Sequence, residues 1–203
     1  MAVVFPSKDW LDELQKRVNS DETYKRVAAR WEGDLIYEIE IDQEALKDLQ
    51  KPKVLRGLIS VLAAIPKEKR LAYTGTPMEK LVQKLGLALD QDIDLSKLNF
   101  EELAKKVGEI KFDEVKGASI YIWLDFWHGE LRNAKPVAPG EIPNPKFIIS
   151  GPYAIFKDYI RGKFDATIIR KLKFKGDLGY LMRNMATISR YGQILASIPI
   201  DVG

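Results

Sequence analysis

Hydrophobic positions recur along this chain with two periods, and the switches between them mark out its elements. Trp10, Leu11, Leu14 and Val18 have helical spacing, and after a break at Asn19, Ser20 and Asp21 a second helical stripe follows at Tyr24, Val27, Ala28 and Trp31. Ser20 or Asp21 is placed to cap that second helix, and Gly33 to end it. Leu35, Tyr37, Ile39 and Ile41 then alternate with Ile36, Glu38 and Glu40, the pattern of a strand with one buried and one wetter face. From Gln43 to Val115 the pattern is helical throughout. Pro52 and Pro66 bracket an apolar helix, Pro77 stands at a first helical turn, and Asn99 with Glu102 forms a capping-box-like pair.

Strand character returns at 117–127, where Ile120, Ile122, Leu124 and Phe126 form one face and Tyr121, Trp123, Asp125 and Trp127 the other. Both faces are largely apolar, which predicts a central strand covered on each side. His128 and Gly129 turn the chain into a partner strand ending near Val137, and Pro136, Pro139, Pro143 and Pro145 mark a loop. Phe147–Ile149 reads as a further strand, with Ser150 capping a helix that begins at Pro152, carries Ile155, Phe156, Tyr159 and Ile160, and stops at Gly162. Asp165 is expected to cap a short turn. Leu172 and Phe174 then alternate with Lys171, Lys173 and Lys175, and Gly176–Asp177 leads into one last helix bearing Leu178, Leu181, Met182, Met185 and Ile188. The order predicts an α+β domain with antiparallel strand pairs.

Composition narrows the chemistry. With 203 residues, one generous domain is expected, with its strands near 35–41, 118–127, 131–137, 146–149 and 171–175 in a single sheet. No uncharged stretch approaches the ~20 apolar residues of a spanning helix, and the opening residues lack the basic-then-apolar order of a signal peptide, so a cytoplasmic protein is expected. The chain has no cysteine and a single histidine, His128, which removes disulfides, thiolate nucleophiles and most metal sites. Few Asn and Gln, no Cys and abundant Lys and Glu suggest a heat-adapted source. The net charge of +3 is uneven: residues 1–115 carry 19 Lys/Arg against 22 Asp/Glu, and residues 116–203 carry 13 against 7. A basic C-terminal part suits an anionic partner.

Two clusters invite a sharper reading. His128 beside Asp125 and Glu130 has the residue types of an acid–base cleft, yet no nucleophile motif, phosphate loop or dinucleotide fingerprint accompanies it, and a polar turn residue explains it as well. The lysines of 171–175 have the composition of a nucleic-acid surface. Without exposed aromatics to stack bases they read better as the solvated face of an edge strand, and no nucleic-acid partner is expected.

The run Gly162–Lys163–Phe164–Asp165–Ala166, followed by Lys171–Leu172–Lys173–Phe174–Lys175–Gly176–Asp177, resembles the closing signature of the sterol carrier protein type-two domain family. The opening helix pair ending at Trp31, followed by a strand, is similar to that family too. The resemblance covers about 10–41 and 117–195 and leaves 43–115 as a helical insertion. It implies a mostly antiparallel five-stranded sheet with helices on one face, enclosing a hydrophobic tunnel. It also implies non-catalytic binding or intracellular transfer of a fatty acid, acyl-CoA, isoprenoid or sterol-like lipid, with no cofactor. The alternative is an accessory subunit of a small-molecule enzyme with a cleft near His128. Gly176 and Asp177 look like a turn and a helix cap, not ligand contacts.

The expected cavity lining is Ile120, Ile122, Leu124 and Phe126 on the sheet, Phe156 on the preceding helix, and Leu178, Leu181, Met182 and Met185 on the last. Ordinary core packing is the plainer reading of the same residues. The block 43–115 is expected to act as lid, cavity wall or homodimer arm, because its helices carry apolar faces that a compact module does not need. Transient contact with an anionic membrane surface is a further expectation.

Overall fold

The structure, a computed structural model, describes residues 2–163 and 166–201. A short strand, β1 (Val3–Val4), precedes α1 (Lys8–Ser20), where the Ser7 side chain accepts from the Trp10 amide and the buried stripe is Trp10, Leu11, Leu14 and Val18. Asp21, not Ser20, caps α2 (Glu22–Val27), its carboxylate accepting from the Tyr24 amide at 2.6 Å. That helix stops short of Trp31, and Gly33 lies inside the next strand, β2 (Glu32–Glu40), instead of ending the helix. Gly33 is packed under the Lys146 side chain and the Phe147 ring, where a Cβ would collide.

The helical block comprises α3 (Gln43–Asp48), α4 (Pro52–Ala63), α5 (Lys67–Arg70) with a 3₁₀ turn, α6 (Pro77–Lys84), α7 (Phe100–Gly108) and α8 (Phe112–Val115). Pro52 and Pro77 open their helices, and the Asn99 side chain accepts from the Glu102 amide at 3.2 Å. Residues 85–99 hold no helix, contrary to the continuous helical reading. Gly86 leaves α6 with φ +78°, and the aspartates that follow favour turns: Asp94 accepts from the Ser96 amide at 3.0 Å.

Beyond the block come β3 (Ser119–Trp127), β4 (Glu130–Val137), β5 (Phe147–Pro152), α9 (Tyr153–Ile160), α10 (Ala166–Lys171), β6 (Lys173–Lys175), α11 (Leu178–Arg183), α12 (Met185–Ser197) and β7 (Ile200–Asp201). The five main strands form one open sheet in the order β4-β3-β2-β5-β6, antiparallel except for the parallel β2–β5 pair. Leu35, Tyr37 and Ile39 lie opposite Leu124, Ile122 and Ile120, so the alternation read in both segments becomes one shared apolar face. His128 (φ +49°) and Gly129 (φ +85°) form the two-residue turn of the β3–β4 hairpin, with both residues in the left-handed region as a primed turn requires. Ser150 caps no helix. It sits in β5, paired with Glu38 and Lys173, and α9 starts after Pro152. Phe164 and Asp165, the latter expected to cap a turn, lie outside the described residues.

Helices α1, α9 and α12 cover the apolar face; Gln15 on α1, for example, donates to the Leu131 and Arg132 carbonyls of β4 at 3.0 Å. The other face is covered in part by the β4–β5 loop and by Tyr73, whose ring lies 6.3 Å from that of Tyr121. The apolar faces of the helical block are consumed inside the molecule. Leu55, Leu58, Val61, Leu62, Leu81 and Val107 join the same buried cluster as Trp10, Ile120 and Phe156. A buried polar knot ties the block to α9: Lys157 Nζ reaches Asp48 Oδ2 at 2.9 Å and also pairs with Glu44, while the Tyr153 hydroxyl donates to Asp48 at 3.2 Å. The apolar faces of 43–115 are therefore walls of the core, and not the exposed faces that would call for a partner.

Candidate ligand-binding site

Between the sheet and the C-terminal helices lies a hollow of about 120 Å³ whose wall is almost wholly apolar. Leu35 and Phe126 supply the sheet floor, Phe147, Ile149 and Phe174 the β5–β6 side, Tyr24 and Trp31 the α2 side, and Leu181, Ile188 and Tyr191 the roof. The rings brace one another: Trp31 and Phe147 are 5.6 Å apart between centroids, Phe126 and Tyr191 5.1 Å, Phe147 and Phe174 5.9 Å. The Thr187 hydroxyl is already committed, donating to the Val27 carbonyl at 2.9 Å.

A second, larger hollow of about 530 Å³ runs along α12 and abuts the first, sharing Tyr159 and Ile188 with it. Met185, Ser189, Gly192 and Ala196 recur on one face of α12, and the small side chains at 189, 192 and 196 leave a shallow channel there. The first hollow alone falls short of the roughly 300 Å³ at which ligand pockets begin, whereas the two together lie within the usual range.

The tyrosine hydroxyls behind the wall are bonded to one another, with Tyr37 and Tyr191 at 3.0 Å. Burial pushes Tyr37, Tyr159 and Tyr191 above the ordinary phenol value, so the site stays uncharged through neutral and mildly alkaline pH. An uncharged, largely aromatic wall suits a hydrocarbon.

Of the residues expected to line a cavity, Phe126 and Leu181 border the first hollow and Met185 borders the channel. Ile120, Ile122, Leu124 and Phe156 share the apolar face but sit in close-packed core beside it, fully buried. Leu178 and Met182 are corrected outright: they point to solvent, 63% and 75% exposed. The expected single last helix is broken at Asn184, whose side chain bonds the Tyr180 carbonyl at 2.8 Å, so 178 and 182 lie on the outer side of α11 while α12 takes a separate course. None of the residues lining either hollow comes from 43–115, so the expected gating role for that block finds no geometry here.

Sequence reasoning missed Trp31, Phe147, Phe174 and Tyr191 as wall residues. The available signal was that the lysine-flanked Phe174 lies one strand from Phe147; only the β5–β6 register, which pairs Ile149 with Phe174, brings them together.

Gly176 and Asp177 do what their place in the motif implied. Asp177 caps α11, accepting from the Tyr180 amide at 3.0 Å. Gly176 has φ +148°, and a Cβ there would meet the Phe147 ring and lie 2.8 Å from the Lys146 carbonyl oxygen. The acid–base reading of His128 is not supported. His128 is an exposed turn residue that stacks on Trp127 and bonds Glu32 at 2.7 Å, while Asp125 is held by a two-pronged Arg132 contact at 3.0 and 2.9 Å. No helix among the described residues is long and apolar enough to cross a membrane.

Two solved structures share the fold. One is a crystal structure of sterol carrier protein 2, with TM-score 0.53 and 16% identity over 96% of this chain and 98% of that one. The other is a solution structure of a conserved hypothetical protein from Thermus thermophilus, described as possibly a sterol carrier protein, with TM-score 0.54 and 15% identity over 99% and 97%. No curated protein matches the chain. Residues 87–189 match the SCP-2 sterol transfer family, a span that takes in the end of the helical block, four of the five main strands and most of the residues lining the two hollows. By that match, over half of its length, the chain belongs to the SCP-2 sterol transfer family.

Proposed function

We propose that this protein is a non-catalytic, cytoplasmic carrier of a long-chain hydrophobic ligand: a fatty acid, acyl-CoA, isoprenoid or sterol-like lipid. The single observation that carries the reading is the apolar, largely aromatic hollow that abuts the α12 channel, the two sharing Tyr159 and Ile188. Family membership supports a lipid, and the sheet that forms the floor is the one the family resemblance implies. Burying about twelve methylenes at ~0.8 kcal/mol each supplies close to 10 kcal/mol before the costs of association, enough for micromolar binding.

Titration with a fluorescent long-chain fatty acid tests the reading, with Trp31 in the wall as the intrinsic reporter. Saturable quenching, reversed by unlabelled fatty acid or isoprenoid alcohol, is expected. Absence of both quenching and displacement across these ligands overturns it.

A further inference from the structure

We propose that α11, with the first turn of α12, is the surface through which this protein docks on an anionic lipid bilayer. The inference rests on the carrier reading and adds where the lipid is exchanged. Five large apolar side chains are exposed among the described residues, and three of them, Leu178, Met182 and Met185 (57%), fall within eight positions of the chain. Helix α11 is apolar on both sides. Leu181 faces the cavity and Tyr180 packs edge-on against Trp31 at 5.2 Å, while Leu178 and Met182, spaced i, i+4, share the outward face. A helix facing only water carries polar residues there.

Charge identifies the occupant. Residues 161–183 hold seven Lys/Arg (Arg161, Lys163, Arg170, Lys171, Lys173, Lys175 and Arg183) against Asp165 and Asp177, a net +5 in a chain whose total is +3. All seven are exposed, and two have acidic neighbours: Lys163 bonds Asp158 at 2.8 Å, and Arg183 lies 3.9 Å from Asp177. The cations come from α10, β6, α11 and the chain after α9; of these, β6 and α11 line the first hollow through Phe174 and Leu181, and Gly162 after α9 lines the channel. Flexible leucine and methionine side chains within a basic surround match the boundary between headgroups and acyl chains of an anionic leaflet. Position matches too: Leu181 roofs the first hollow beside the exposed Met182, and Met185 lines the channel, so a docked α11 brings both hollows against the lipid.

The test is sedimentation of the full chain with phosphatidylcholine vesicles, with and without about a third phosphatidylglycerol. Binding to the anionic vesicles, weak binding to the neutral ones, and loss of binding as salt shortens the screening length are expected. The double variant L178S/M182S should bind anionic vesicles at least roughly tenfold more weakly. It should keep its fluorescent fatty-acid affinity, measured without vesicles, and its thermal midpoint, since both side chains are solvent-exposed. A charge-reversal variant, K171E/K173E, should reduce the preference for anionic over neutral vesicles.

Fatty-acid binding by the wild type with no vesicle binding overturns the docking surface and leaves the carrier reading standing; an acidic protein partner is then the occupant to seek. A double variant that binds vesicles as tightly as the wild type overturns the assignment to α11. Anionic vesicle binding that depends on Leu178 and Met182, without any fatty-acid binding, upholds the docking face and overturns the carrier reading instead.

Discussion

Gly176 joins the sequence motif to the cavity wall, and replacing it with alanine tests that link quantitatively. Two costs are expected. Its φ of +148° is one that L residues rarely adopt, a strain of about 1–3 kcal/mol. The added Cβ also collides with the Phe147 ring and sits 2.8 Å from the Lys146 carbonyl oxygen, at the start of β5, adding about 1–3 kcal/mol of overpacking. Gly140→Ala is the matched control: φ there is +73°, and an added Cβ meets nothing within 4 Å. It carries the strain alone, about 1 kcal/mol. Gly176→Ala should therefore lower the thermal midpoint by roughly 5–15 °C, and Gly140→Ala by only ~2–4 °C, for a domain of this size. Calorimetric or dichroism melts of both variants decide the matter. Because Phe147 is the residue displaced, fatty-acid affinity in the folded Gly176→Ala protein should change as well. Equal midpoint losses in the two variants would show that Gly176 is required for backbone conformation only and that the close approach to Phe147 is absent.

Ile188 borders both hollows, so Ile188→Trp should obstruct their junction and weaken fatty-acid binding about tenfold or more while the protein stays folded; unchanged affinity would place the ligand elsewhere. Asp48→Asn should cost about 1–3 kcal/mol in urea unfolding, because it leaves Lys157 with Glu44 alone and weakens the bond from Tyr153. Burial alone would raise the Asp48 carboxyl, but hydrogen bonds from Lys157 and Lys51 outweigh it and hold the group below its ordinary value. Its contribution to stability is therefore present above the unfolded carboxylate value near ~4 and is lost as pH falls through the folded one. The wild type should accordingly lose more stability than Asp48→Asn on acidification below about pH 4. Affinity for an uncharged isoprenoid alcohol should be flat from about pH 6 to 9, since the ionisable groups in the wall are tyrosines pushed upward by burial; a titration step in that range would mean that a charged group faces the ligand.

The sequence by itself determined the elements whose signal is local. Alternation at 35–41 and 117–127 set two long strands, because a period of two leaves one choice of buried face once either side is apolar. The turn at His128–Gly129, the caps at Asp21, Asn99 and Asp177, and the proline-led helices α4 and α6 were legible for the same reason: each depends on groups within four residues of one another. Where the local rule met a packing demand, packing won. Gly33 pairs with Phe126 within β2, packed under the Lys146 side chain and the Phe147 ring, and Ser150 was claimed by β5 because strand pairing satisfies its backbone where a helix cap would satisfy only part.

The site belongs to the other category. Apolar residues on one face of β3 read alike whether they pack solid, as Ile120, Ile122 and Leu124 do, or border space, as Phe126 does, because periodicity reports burial and not what fills the volume beyond. The parallel β2–β5 pair, which inserts β5 and β6 beside β2 and carries Phe147 and Phe174 to the wall, rests on contacts more than a hundred residues apart. The break at Asn184 then turned Leu178 and Met182 outward while leaving Leu181 and Ile188 on the cavity, a division made by how α11 and α12 dock and not by the spacing of the four residues along the chain.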